Sequence, residues 1–561
     1  VASLLEPPGV PPEPIAGTNG GYQPSDRFVK WFGKPAAPPP TQHAPPVHRG
    51  LGRSSYGVFV LTTIIQILGV ISSAAVGHLF SHTPATATSP SGVAIWGEIV
   101  FFLLIASSIN WLGDLRVGSA YTYYVSRGQP AKELTGTYLA LRLILVSLVG
   151  LATLPLTYAI GATFGHYSLS GTTYLSFGLF LVLPVLWTPW MVVSQLRIAR
   201  GYSIQAQYPQ LVEVGVRTVG IVTVIFLLPG LLGFTYAFVL GGVASFLYCL
   251  PELWREMSPP AKARAVQLLR YSWPLMGSLM FQFLASNAPP FFVTGLLQST
   301  ALFGVFSWDN GWRILLLSVP SAVVLPLFPY LASFHAKGDY ALVQRKTWEA
   351  LRFTAIIVVP VAVAIVVYRV PIPSVIYSNY YAQNGIVALP LLALSAIPLG
   401  LSQVIGTSLN SIGYQRLELY ISGTIVGAMV ASTVILFHFF PNLGAIAAGV
   451  LVGSIAALAL NTYFMEHLLH VRIRPMPIVR IIAASAAAFL IMAEANRYIT
   501  LSHWWVLFGL LAIGFVVYAF VLAGIGELTK LDLHTMVGAI GLPDRLATVL
   551  GRLCWREAPP P

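Results

Sequence analysis

Residues 304–339 read GVFSWDNGWRILLLSVPSAVVLPLFPYLASFHAKGD, and the first thirty of them are apolar enough to cross a bilayer while carrying Asp309 and Arg313 well inside. An ionisable side chain near the centre of a bilayer costs about 2.5–3.5 kcal/mol on insertion scales, so it belongs in a protein interior or a water-filled cavity. Two readings are open. The acid and base stand at i and i+4, the spacing of a self-neutralising pair on one helix face. Alternatively, that face lines a path for a polar or charged substrate. Trp308 and Trp312 flank the pair; tryptophan stacks on sugar rings, and it also marks membrane interfaces.

Other polar groups lie in apolar surroundings. Glu213 and Arg217 repeat the i, i+4 acid–base spacing. Arg142 and Arg352 stand near helix ends, where snorkelling to the interface or contact with an anionic head group are both open. Glu98, Gln282 and Asn287 complete the set of cavity candidates. The run Glu466–His470 matches no metal-ligand motif, so no metal or cofactor is expected. No Walker A loop and no HExxH occur, and the reading is of a non-enzyme.

The elements that must hold these groups follow from composition. The 561 residues are 56% hydrophobic and 9% charged, with a mean hydropathy of +0.75. That combination excludes a soluble globular domain and specifies an all-α polytopic membrane protein. Cys249 and Cys554, the two cysteines, define no disulfide framework. Apolar segments of membrane-spanning length are predicted near 56–79, 92–113, 138–161, 173–194, 208–229, 231–251, 272–297, 302–331, 350–370, 385–408, 417–439, 443–466, 477–497 and 503–525, fourteen in all.

Charge gives an independent test of that count. With a cytoplasmic N-terminus, the even-numbered loops carry Arg116, Arg127, Lys132, Arg197, Arg200, Arg255, Lys262, Arg264, Arg270, Lys337, Arg345, Lys346, Arg416, Arg472 and Arg474, and the odd-numbered ones only Arg497. The positive-inside rule then puts both termini in the cytoplasm. It also accounts for the formal net charge of +12 without nucleic acid.

The chain repeats internally. Arg127-Gly128 and YLALR (138–142) fall 210 residues before Lys337-Gly338 and WEALR (348–352), while Gly201-Tyr202 and Pro229 fall 212 before Gly413-Tyr414 and Pro441. Spans one to six therefore recur as seven to twelve. Each copy has an even number of spans, so the two six-helix repeats are parallel and form two lobes, with two C-terminal helices added. The same offset brings Glu98 within one residue of Asp309.

The expected organisation is a disordered proline-rich cytoplasmic tail over 1–55, an N-lobe over 56–254, a cytoplasmic linker over 255–271, a C-lobe over 272–466, the last two spans over 467–526 and a cytoplasmic tail over 527–561. The first fifty residues hold twelve prolines and lack the basic start and apolar core of a signal peptide. Prolines 274, 289 and 290 in span seven, 320, 326 and 329 in span eight, and 390 and 398 in span ten break backbone hydrogen bonds and are candidate hinges.

Four stretches resemble the polysaccharide-export branch of the multidrug/oligosaccharidyl-lipid/polysaccharide flippases: LGDLRVGSAYTYYVSRG (112–128), VPSAVVLPLFPYLA (319–332), VIYSNYYAQNGIVALPLLALSAIPLG (375–400) and GTSLNSIGYQRLELYISG (406–423). Arg116 stands where that family often has a glycine, and Asn287 near where span seven often carries an aspartate. The resemblance implies a flippase for a lipid-linked saccharide in the cytoplasmic membrane, acting as a monomer by alternating access. Its central cavity would be lined by spans one, two, seven and eight. Arg313 would then bind phosphate, Glu98 and Asp309 would pair with bases or take protons, and the tryptophans would meet sugar. The partners implied are the substrate, membrane lipids and a coupling ion, H+ or Na+. The rival readings are a multidrug or small-cation exporter of the same superfamily, an integral-membrane glycosyltransferase or polymerase, and a non-transporting scaffold. The short, almost uncharged odd loops argue against the enzyme.

Overall fold

A computed structural model describes residues 51–80, 92–126, 128–164, 171–228, 230–336, 338–412, 414, 417–469, 475–495 and 504–527. The proline-rich stretch 1–50, the C-terminal tail from 528, and Arg127, Lys337, Gly413, Arg416, Arg472, Arg474 and Arg497 lie outside them. Among the described residues there are eighteen α-helices and no strand. They are α1 (Leu51–Phe80), α2 (Gly92–Leu112), α3 (Val117–Ser126), α4 (Ala131–Phe164), α5 (Gly171–Ala199), α6 (Tyr208–Leu227), α7 (Leu231–Glu256), α8 (Lys262–Ser272) and α9 (Met276–Phe292). There follow α10 (Thr300–Ala336), α11 (Tyr340–Val367), α12 (Pro371–Ile376), α13 (Asn379–Asn384), α14 (Ala388–Ser411), α15 (Leu417–Phe439), α16 (Leu443–Leu469), α17 (Pro475–Ala495) and α18 (Trp504–Gly524).

Thirteen of the fourteen predicted spans coincide with one long helix, and span seven holds the 17-residue α9 between a 3-10 turn and a π-helical turn. Eleven helices among the described residues are long and apolar enough to cross a membrane. Four short helices, α3, α8, α12 and α13, are connectors. Large apolar side chains point outward in mid-helix, with Leu151 65% and Val219 67% exposed. In a protein that must sit in hydrocarbon, such a surface is the expected one.

The repeat is visible in which helices touch. In the first copy α6 packs on α7, α5 on α7, α1 on α6, α2 on α5 and α4 on α5. In the second, α15 packs on α16, α14 on α16, α9 on α15, α10 on α14 and α11 on α14. These are the same five pairings, shifted by six spans. The last two helices attach to the second copy, α17 against α11 and α18 against α17.

The turns repeat as well. Gly128 and Gly338 both take left-handed backbone, φ 82° and 75°. Their N–H groups donate to Val125 and His335, and the following residues donate to Tyr124 and Phe334, at 3.0–3.2 Å. This closing pattern needs a residue without a Cβ at the left-handed position, which is why the glycine recurs.

Candidate functional site at the crossing of the two repeats

The copies meet where α10 lies against α1 and α2, with α9 alongside α2. Two glycines allow the approach. A Cβ on Gly304 would stand 3.0 Å from the Val93 carbonyl, and one on Gly97 would overlap the Thr300 carbonyl. Small residues at a membrane helix crossing let backbones come this close. The crossing lies at the N-terminal ends of α2 and α10, away from the basic loops.

Directly below it, the Trp96 and Trp308 rings meet edge to face at 6.0 Å. Trp308 also packs on Tyr381 at 5.1 Å between ring centres, and on Tyr377. Val70, Ser73, Trp96, Ser307, Trp308, Gly311, Trp312 and Tyr377 line a cavity of about 50 Å³. It admits a few waters and is far smaller than a sugar ring. Both expected tryptophans, Trp308 and Trp312, thus reach the crossing. Trp96, from the opposite copy, is the partner that spacing along one helix could not supply. The indole N–H groups of Trp96 and Trp308 and the Tyr381 hydroxyl are buried without a hydrogen-bond partner among the described residues.

The i, i+4 spacing of Asp309 and Arg313 does not produce a closed ion pair. Arg313 donates from Nη1 to the Asn310 side-chain oxygen at 3.0 Å, and its Nε is buried with no acceptor among the described residues. Asp309, 4% exposed, turns instead toward the start of α14. A Cβ on Gly385 would lie 2.8 and 3.0 Å from its two carboxylate oxygens, so the absence of a side chain there makes room for it. Its Oδ2 has no partner among the described residues. The self-neutralising reading therefore fails: tertiary packing draws the carboxylate away from its own helix neighbour. Glu98 on α2 is half-buried. Asn287 donates at 2.9 Å to the Phe283 carbonyl of its own helix.

On the side of the basic loops the copies are bridged by polar groups. Arg116, in the turn after α2, donates to the Gln282 side-chain oxygen at 2.6 Å and approaches Glu418 at 3.7 Å. Gln282 in turn donates to Glu418, which also accepts from Asn410 at 3.4 Å. Gln282 is a candidate from the sequence, whereas Glu418 is not. Arg116 stands out there as a cation of a basic loop and as a departure from a family pattern. A basic residue just after one span and an acid at the start of another are the signals that could have joined them.

Away from the crossing, Arg142 corrects an expectation. It does not snorkel: it is 2% exposed and pairs with Asp114, while its Nη2 donates to the Asn110 side-chain oxygen at 2.8 Å. Tyr138 donates to the same Asp114 at 2.9 Å. Burial of a guanidinium is tolerable only with such partners. Arg352, at the equivalent repeat position, donates to the Glu527 carbonyl at 2.7 Å. Glu213 and Arg217 form the expected pair at 2.9 Å, and the Arg217 guanidinium sits 4.9 Å over the Phe238 ring.

Comparison with known proteins agrees with this architecture. Residues 172–384, from α5 through α13, match a family described as polysaccharide biosynthesis protein. No curated protein matches the sequence. Among solved structures, the lipid II flippase MurJ in an inward closed conformation superposes with a TM-score of 0.65 at 14% identity, covering 83% of this chain and 98% of that one. An outward-facing multidrug resistance MATE family transporter of the MOP superfamily gives 0.57 at 15%, covering 75% and 96%. A point mutant of the Vibrio cholerae MATE transporter VcmN gives 0.55 at 16%, covering 76% and 99%. The chain carries the two-lobed, all-helical membrane fold that the lipid II flippase and the MATE transporters share.

Proposed function

We propose that this chain flips a lipid-linked oligosaccharide or polysaccharide precursor across the cytoplasmic membrane, by alternating access of its two repeats. The observation that carries the reading is the crossing of α10 on α1 and α2. It is closed at one end by Gly97 and Gly304 and at the other by the bridge from Arg116 through Gln282 to Glu418. Between them lie aromatic faces and buried N–H donors with nothing to bond among the described residues. Faces of this kind suit a saccharide, which offers ring C–H surfaces and many acceptor oxygens. The match to a polysaccharide biosynthesis family and the likeness to a lipid II flippase point the same way.

In this reading the described state is closed on both sides, and the substrate enters only when one closure releases. The basic loops face the cytoplasm, as do both termini. Arg313 holds the diphosphate, Trp96, Trp308 and Trp312 meet the sugar, and the lipid tail stays in the bilayer. Glu98 and Asp309 take up the coupling ion, H+ or Na+, so that binding of the ion and release of a closure are linked. The chain acts as a monomer and makes or breaks no covalent bond.

A multidrug or small-cation exporter is the second reading, favoured by the fold of the MATE transporters and by Asp309, whose Oδ2 has no partner among the described residues. Arg313 argues against it, since a guanidinium near the path repels a cation. The experiment is flipping of a fluorescent lipid-diphosphate oligosaccharide in proteoliposomes. Wild type should flip it, and Arg313→Ala should reduce the rate at least tenfold while remaining folded and inserted. An intact wild type that flips nothing but exports a cationic dye would establish the second reading instead.

A further inference from the structure

The segment joining the two repeats has a second, outward face that the transport cycle does not use. Five residues separate its helix α8 from α7, and three separate it from α9. The first of those helices is long and apolar enough to cross the membrane, and the second belongs to predicted span seven, so α8 has no room to leave the bilayer surface. One face of α8 is fastened to the first repeat. Leu268 and Ser272 are fully buried, and Arg264 pairs with Glu133 at 3.1 Å. Gln267 donates to the Gln129 side-chain oxygen at 3.2 Å. Upstream, Ser258 N–H donates to the Lys132 carbonyl and Ala261 N–H to the Thr137 hydroxyl, each at 3.1 Å.

The opposite face runs through Lys262, Val266, Arg270 and Trp273, spaced by four, four and three residues, and all four are exposed. Trp273 is 74% exposed, and Trp254, at the end of α7, is 78% exposed beside Arg255. No described residue forms an ion pair with Lys262, Arg255 or Arg270. Three such cations and two tryptophans thus sit on one short strap, at the depth where two spans end. Tryptophan at that level belongs to the headgroup layer. Cations on an apolar-faced surface helix are attracted to anionic lipid, by about a factor of five for each Lys or Arg.

We infer that the outer face of α8, with Trp254 and Arg255, is a binding surface for the anionic phospholipid headgroups of the leaflet on the basic side. The occupant is the leaflet itself rather than a soluble acidic protein, because both tryptophans flank the cations at the bilayer surface and the helix is tethered there at each end. The surface clamps the covalent linker between the repeats to the membrane. The inference rests on the membrane orientation proposed above and not on the identity of the transported substrate.

The test is amide hydrogen exchange of α8 in the full chain, reconstituted in nanodiscs of phosphatidylcholine with increasing phosphatidylglycerol. Exchange across 262–273 should slow as phosphatidylglycerol rises, and the protection should fall when salt is raised. In a Lys262→Gln/Arg270→Gln variant, the phosphatidylglycerol fraction giving half the protection should rise about fivefold or more. Exchange of α4 in the same samples reports whether the variant is folded. Equal exchange in the two lipid compositions would overturn the inference, as would protection that survives in the variant. Protection by inorganic phosphate in pure phosphatidylcholine discs would also overturn it, by making the site one for a free anion. None of these outcomes depends on flipping, so a failed flippase assay leaves the result readable.

Discussion

The two repeats treat the same element in opposite ways. In the second copy the element is α10, one unbroken helix from Thr300 to Ala336. In the first it is split into α2 and α3 by a turn at 113–116, where Leu115 and Arg116 take left-handed backbone at φ 43° and 61°. Such a conformation costs about 1–3 kcal/mol for each non-glycine residue and persists only when its surroundings fix it. Here the fixing groups are evident. Asp114 lies inside the turn and accepts from Arg142 and Tyr138, and the Arg116 carbonyl accepts from the Ser272 hydroxyl at 3.2 Å. The reward is position, since the turn aims Arg116 at Gln282 and Glu418 on the other copy. The unbroken α10 instead carries Asp309 and Arg313 with buried atoms that have no partner among the described residues. The acid at the break in the first copy is tied to an arginine and a tyrosine, whereas in the second copy Asp309 Oδ2 and Arg313 Nε bond no described residue.

That contrast makes opposite predictions for two single-atom changes. Asp114→Asn leaves a buried guanidinium without its counter-charge, which costs about 3–5 kcal/mol. A marked fall in unfolding temperature in detergent is the expected result. Asp309→Asn removes a buried carboxylate whose Oδ2 bonds no described residue, so unfolding temperature should hold or rise, while flipping falls at least tenfold. Equal destabilisation by the two changes would erase the distinction between the copies. Full flipping by a stable Asp309→Asn protein would move the coupling chemistry elsewhere, with Glu98 the next residue to replace.

The fold was largely legible because its signals are local. Span length, loop charge and paired glycines such as Gly128 and Gly338 each act within a few residues. The pair Glu213–Arg217 was legible for the same reason, being one helical turn apart on α6. Arg142 was not, because Asp114 lies 28 residues away across a break in the helix. Spacing says nothing about which groups a turn will bring together. Asp309 and Arg313 mislead in the reverse direction: their local spacing is right for a pair, but the open face of Gly385 offers the carboxylate another place. Trp96 and Glu418 are half of their contacts, and each acquires a role only when the second copy is laid against the first.

The smallest effect expected is at the bridge on the basic side, where the comparison can be sharpened rather than broken. Arg116 and Glu418 are about a third exposed or less, at 27% and 33%, and partly exposed pairs contribute on the order of 1 kcal/mol or less. Glu418→Gln should therefore barely shift unfolding. It removes a charge from a contact that spans the repeats, however, so it should shift the balance toward opening on that side. Thiol labelling reads this directly: Asn410→Cys, in a background without Cys249 and Cys554, should react faster with a membrane-impermeant maleimide when Glu418→Gln is added. About 1 kcal/mol corresponds to roughly a fivefold change in an equilibrium, which sets the scale of the acceleration. Unchanged labelling would mean that Gln282 and Arg116 hold the closure by themselves, and that the left-handed turn of the first copy, rather than the charge it presents, is what keeps the two repeats together there.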